Sequence, residues 1–118
     1  MDNMKHDKTQ VSIIIPTYNE SENIIQVLKS IGEHLPEEIA AEALVIDDNS
    51  PDETGKIVED YITDAHNETG YAIEVIHRKT KSGLSSAILD GIQHSSGETV
   101  VVMDSDSVSY THLRAHET

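Results

Sequence analysis

Two pairs of acids stand where hydrophobic runs end in this chain: Asp47 and Asp48 close ALVIDD, and Asp104 and Asp106 follow TVVVM. Carboxylates so placed can ligate a hard cation or accept hydrogen bonds from a polar ligand. The two pairs differ in what their spacing permits. Asp104 and Asp106 are separated by Ser105, so in an extended strand both side chains project to the same side, as two oxygen ligands of one cation require. The competing reading is a solvated strand end whose Asp side chains seek backbone amides. Asp47 and Asp48 are adjacent and face opposite ways, which argues against joint action on one metal ion. One is expected to accept a hydrogen bond from a ligand while the other turns to backbone or solvent. The alternative is an Asx-turn that opens a helix.

Basic residues gather at one place. Arg78, Lys79 and Lys81 precede Gly83 in HRKTKSG, where they either reach a phosphate or form a solvated loop. The chain has neither GxxxxGK[ST] nor GxGxxG, which removes the P-loop and the dinucleotide fingerprint. DDNSPDET lacks the Gly and final Glu of an EF-hand loop, and Ser85 and Ser86 sit in no nucleophile-elbow pattern. His77, at a strand end, reads as structural, and only His112 and His116 share a metal-like spacing of four.

Composition bounds the rest. The 118 residues, 36% of them apolar, suit one domain or one lobe of a larger one. Four Tyr with no Phe or Trp leave the core to Ile, Val, Leu and Ala and offer few stacking platforms for single strands. A formal net charge of -14 argues against nucleic acid as a partner, because phosphate backbones need clustered Lys and Arg. An anionic substrate would need a cation between it and this acidic surface. The absence of Cys removes disulfides and thiolate metal sites and fits a reducing compartment. No apolar stretch approaches the ~18 residues of a membrane span, and MDNMKHDKTQ lacks the apolar core of a signal peptide. The expected location is cytoplasmic.

Periodicity supplies the elements that must position these residues. VSIIIP at Val11 to Pro16 reads as a buried strand, followed by the turn TYNE and a helix carrying Ile24, Ile25, Leu28, Ile31 and Leu35. Ser21 or Asn19 would cap it and Pro36 would stop it. A second strand over Ala43 to Ile46 runs into DDNSPDET, where Thr54 would cap a helix bearing Ile57, Val58, Tyr61, Ile62 and Ala65. YAIEVIH is a third strand; Leu84, Ala87, Ile88, Gly91 and Ile92 mark a third helix; Thr99 to Met103 is the last strand. Strict alternation predicts parallel βαβ units, an α/β, doubly wound, mainly parallel sheet. It puts TYNE, DDNS, HRKTKSG and DSD on one rim, where ligands of open α/β sheets bind.

The ordered set VSIIIPTYNESENI, VIDDNSPDET, KSGLSSAILDGI and VVVMDSD resembles the amino-terminal half of a family 2 glycosyltransferase of GT-A fold, with its Rossmann-like nucleotide-binding lobe. The resemblance is nearest to the dolichol-phosphate mannosyltransferase and polyprenyl-phosphate glycosyltransferase branch, and it covers Val11 to Asp106. It implies nucleotide contact by Pro16, Tyr18, Glu20, Ile46 and Asp48. It also implies that Asp104, Ser105 and Asp106 hold the sugar nucleotide through Mg²⁺ or Mn²⁺, with Asp104 and Asp106 as the metal ligands. The implied reaction moves a hexose, mannose from GDP-mannose in the favoured case, to a polyprenyl or dolichyl phosphate at the cytosolic face of a membrane.

Three segments are therefore expected: a polar leader over 1–10, the nucleotide-sugar-binding lobe over 11–106, and a tail over 107–118. SVSYTHLRAHET shows neither helical nor strand periodicity, departs from the family after D-x-D, and looks like a translated adaptor string outside the fold. The lobe is then expected to be a truncated one without an acceptor half or any catalytic Arg or Lys the family carries there, and no catalytic residue is assigned. Two other readings compete: a nucleotide-binding module without catalysis, and a phosphoacceptor signalling domain resembling a receiver. The receiver expects its acidic pair after the first strand, where this chain has PTYNE.

Overall fold

Four of the apolar runs form parallel neighbours in one sheet: β1 (Val11–Thr17), β2 (Ala41–Asp47), β3 (Ala72–His77) and β4 (Thr99–Met103). The structure, a computed structural model, describes residues 8–65, 71–79, 83–103 and 110–112. Helices α1 (Ile24–His34), α2 (Thr54–Ala65) and α3 (Leu84–His94) connect the strands in turn. The sheet order is β3-β2-β1-β4-β5, with β5 (Tyr110–His112) antiparallel to β4. The expected doubly wound, mainly parallel α/β class is the observed one.

The strands alternate between two cores because successive side chains of a strand point to opposite faces. Ile13, Ile15, Ala43 and Val45 pack with Ile24, Leu28 and Ile31 of α1 and Val58 of α2. Ile14, Leu44, Ile46 and Val100 pack on the other face with Ala87 of α3. Burial on both faces explains why β1 and β2 read as continuous apolar runs. Each fully buried Ile or Leu contributes about 1.5–3 kcal/mol. Helix α3 lies close to the sheet at Gly91, where an added Cβ would come within 2.6 Å of Ile14 Cγ2.

The α1 face is not fully covered. An apolar groove of about 300 Å³ lies over β1 and β4, lined by Val11, Ile13, Ile31, Leu35, Val101 and Met103 among others.

Three local expectations differ from the structure. Strand β2 starts at Ala41, two residues before the apolar run, because pairing with β1 extends to Val11↔Ala41 and backbone bonds do not require apolar side chains. Helix α1 is capped by neither Ser21 nor Asn19: its N-cap is Asn23, with no side-chain cap bond. The amides of Asn19 and Ser21 instead bond to the loop after β2. Tyr110–His112 pairs with β4 from Met103↔Tyr110 to Val101↔His112, although no alternation marks it in the sequence; an antiparallel ladder is made by backbone groups and needs none.

Candidate functional site

Sheet order puts a topological switch point between β1 and β4. From β1 the chain winds outward through β2 and β3, then returns through α3 to place β4 on the other side of β1. Such a switch point is where open α/β sheets bind ligands.

Two loops build the described part of this rim, and they are tied together by hydrogen bonds. Asp47, 4% exposed, accepts from the Ser50 hydroxyl at 2.5 Å, the Ser50 amide at 3.4 Å and the Thr17 hydroxyl at 3.5 Å. The Ser50 hydroxyl oxygen in turn accepts from the Asn19 amide at 3.0 Å. Thr54 repeats the device: its hydroxyl donates to Asp52 and accepts from the Glu20 amide at 3.0 Å. The amides of Ser21 and Thr54 also donate to Asp52, each at 3.1 Å. Desolvation pushes the Asp52 carboxyl up, but the bonds from Thr54 and Ser21 outweigh it and hold the group below its ordinary value. Asn19 (φ 59°) and Asn49 (φ 60°) turn these loops in the left-handed region, which Asn tolerates better than most residues.

Asp48 faces the other way, as adjacency requires. Its amide donates to the Thr17 carbonyl at 3.1 Å, and its carboxylate, 8% exposed, pairs through Oδ1 with Nε of Arg78. Arg78 Nη1 donates to Asp90 Oδ2 of α3 at 2.7 Å. The Arg78 side chain is itself only 8% exposed. It is therefore neither the solvated loop residue nor the free phosphate-binding cation weighed from the sequence. Asp90 carries no such signal in the sequence, since an acid between the helical positions Ala87 and Gly91 looks like an ordinary solvated helix residue until Arg78 is placed.

Asp48 borders a cleft of about 130 Å³ with Pro16, Thr17, Tyr18, Gly83, Leu84 and Ala87. Complete ligand pockets usually enclose ~300–1,000 Å³, so this cleft has room for only part of a ligand of that size. Tyr18, 39% exposed, and Leu84, 65% exposed, stand at its mouth. Gly83 (φ 102°) holds a backbone conformation that L side chains rarely adopt.

Of the expected contact residues, Pro16, Tyr18 and Asp48 meet at this cleft. Ile46 is fully buried in the α3-side core and is not part of the cleft lining; its carbonyl accepts from the Thr17 hydroxyl at 3.3 Å. Glu20 is outside the cleft lining; its carboxylate accepts from Asn23 Nδ2 at 3.1 Å. Asp104, Ser105 and Asp106 lie outside the described residues, directly after β4. Among the described residues no cluster of three or more His, Asp or Glu could hold a metal ion. His77 lies between two carboxylates, with Nε2 at 2.7 Å from Glu59 and Nδ1 at 3.9 Å from Asp47. That agrees with its structural reading.

The fold and rim define an open-sheet α/β domain with a cleft at the carboxyl ends of β1 and β2. The family model for glycosyl transferase family 2 matches residues 12–113, and the chain belongs to that family. It is 39% identical over 97 residues to a dolichol-phosphate mannosyltransferase of Pyrococcus furiosus, covering 82% of this chain and 26% of that protein. The Saccharomyces cerevisiae enzyme of the same name is 35% identical over 99 residues, covering 82% and 35%. A mannosyltransferase from Pyrobaculum calidifontis, solved in complex with GDP-Man and Mn²⁺, superposes with a TM-score of 0.71 at 27% identity, covering 84% of this chain and 28% of that one. The chain thus spans about a quarter to a third of the length of the curated relatives it matches.

Proposed function

We propose that this chain is the nucleotide-sugar-binding lobe of a metal-dependent, inverting glycosyltransferase that moves a hexose to a polyprenyl or dolichyl phosphate. The observation that carries the reading is the meeting of Pro16, Tyr18 and Asp48 around one cleft at the carboxyl ends of β1 and β2. GDP-mannose is the proposed donor, on the likeness to the mannosyltransferase solved with GDP-Man and Mn²⁺.

Each residue has a physical task. Asp48 Oδ2 bonds to no described residue, Arg78 holding only Oδ1, and so can accept a hydrogen bond from the nucleotide. Tyr18 offers a ring at the cleft mouth, and Thr17 fixes the β1 end through Ile46 and Asp47. The net charge of -14 would repel a nucleoside diphosphate, and the donor set Asp104, Ser105 and Asp106 has the hard oxygen chemistry that suits Mg²⁺ or Mn²⁺. When bound there, such a cation neutralises the diphosphate and stabilises it as a leaving group. An acceptor phosphate is already ionised, so its oxygen needs no general base to attack the anomeric carbon. One C–O bond forms as the bond to the diphosphate breaks on the opposite face, and the sugar inverts.

Acceptor binding is proposed for the polypeptide that the longer relatives carry beyond the matched part, and donor binding for this lobe. No helix among the described residues is long and apolar enough to cross a membrane. A lipid phosphate acceptor would make the attachment peripheral, on the cytosolic face.

Calorimetric titration with GDP-mannose, in Mn²⁺ and in chelator, tests the assignment. Asp106→Asn should abolish the metal-dependent part of binding, and Asp48→Asn should weaken binding with and without metal. Asp106→Asn binding as tightly as wild type at every metal concentration would leave a solvated strand end as the correct reading of D-x-D.

A further inference from the structure

Arg78 is held by two carboxylates from different elements, and one of its donors is left over. Nε donates to Asp48 Oδ1, Nη1 donates to Asp90 Oδ2 at 2.7 Å, and Nη2 is buried with no hydrogen-bond partner. A guanidinium is a rigid planar fork whose usual meeting with a carboxylate is bidentate, through two parallel N–H···O bonds. Nε and Nη2 share one edge of that fork. Yet Arg78 meets Asp48 through Nε alone, while Nη2 goes unused in a place where an unpaired donor is costly. The grip on Nη1 accounts for this, because a planar group held at Nη1 cannot turn to bring its other edge square onto Asp48. Asp90 stands on α3 beside Gly91, whose close approach to Ile14 fixes the height of the helix above the sheet.

We propose that Asp90 is a positioning residue: it holds the Arg78 fork so that Asp48 is engaged through one oxygen and keeps Oδ2 open to a ligand in the cleft. The inference rests on the nucleotide-binding reading of that cleft. Without Asp90 the fork turns until Nε and Nη2 grip both oxygens of Asp48, which satisfies the buried donor and withdraws the acceptor from the ligand. Arg78 then competes with the nucleotide for Asp48.

The test uses the full chain, with GDP and UDP titrated in chelator so that D-x-D plays no part. Asp90→Ala, which removes the acceptor, should weaken binding roughly tenfold, the scale of one lost hydrogen bond to a charged group, and Asp90→Glu should restore part of it. In an Asp48→Asn background, Asp90→Ala should have no further effect. Equal losses in the two backgrounds would show that Asp90 acts by general destabilisation and overturn the proposal. A second measurement does not depend on nucleotide: the side-chain ¹⁵N and ¹H NMR signals of Arg78 should shift in Asp90→Ala as Nη1 is released and Nη2 engaged. Unmoved signals overturn the positioning role whether or not nucleotide binds. Shifted signals in a protein whose wild type binds neither GDP nor UDP uphold the positioning of Arg78 and sink the nucleotide reading.

Discussion

Asp47 and Asp48 are neighbours in sequence and differ in almost every other respect. Asp47 lies in a closed web, its oxygens taking bonds from Ser50 and Thr17, residues of the two loops it joins. Asp48, across the sheet, is held by one bond from Arg78, with the unused Nη2 donor beside it. One acid is spent on the scaffold and the other is left available at a cleft. The contrast shows how a DD pair can serve two ends: strand alternation separates the carboxylates, and the partners on each face decide their roles.

The sharpest way to break this contrast is to remove each acid in turn. Asp47→Ala leaves the Ser50 hydroxyl and amide without their acceptor, while Thr17 keeps the Ile46 carbonyl, and should cost about 3 kcal/mol in urea denaturation, at about 1–3 kcal/mol per stranded buried donor. Asp48→Asn, which leaves Arg78 paired with Asp90, should cost less than half of that while losing more nucleotide affinity. Equal stability losses would erase the distinction.

A smaller effect is expected where α3 meets the sheet. Gly91→Ala places a methyl group against Ile14, which is fully buried and has no room to move. Overpacking of this kind costs about 1–3 kcal/mol. Because the helix also carries Asp90, binding at the Asp48 cleft should weaken in the same variant, whereas the Asp47 web, on the opposite face, should keep its amide-exchange protection. Loss of protection at Ser50 in Gly91→Ala would show that the two faces are coupled.

The smallest effect concerns acid. Asp52 has its folded pKa held below the ordinary 3.8 by bonds from Thr54 and Ser21, against the opposing effect of burial. A depressed carboxyl contributes stability that is present above the unfolded pKa and lost as pH falls through the folded one. The wild type should therefore lose stability more steeply than Asp52→Asn as pH drops below about 3.9. Parallel acid limbs in the two proteins would remove Asp52 from the account.

Much of this was legible in the sequence because it depends on local periodicity. Runs such as SIII and LVI need two covered faces, strict alternation with helices makes the strands parallel, and the turn residues after each strand then share one rim. The opposite facing of Asp47 and Asp48 follows from the two-residue repeat of a strand alone. Which acid would be structural did not follow. That depended on Ser50 and Thr17 meeting on one face and Arg78 and Asp90 on the other, and the latter pair belongs to β3's exit and to α3, elements brought together only by the order β3-β2-β1-β4. The helix caps failed for the same reason: the turn carrying Asn19 and Ser21 is tied through its backbone amides to Ser50 and Asp52, thirty-odd residues away, and the helix starts beyond it with Asn23 as N-cap. Sequence fixes what each segment repeats; tertiary structure decides which polar groups meet, because only packing takes them out of water and makes each unpaired donor costly.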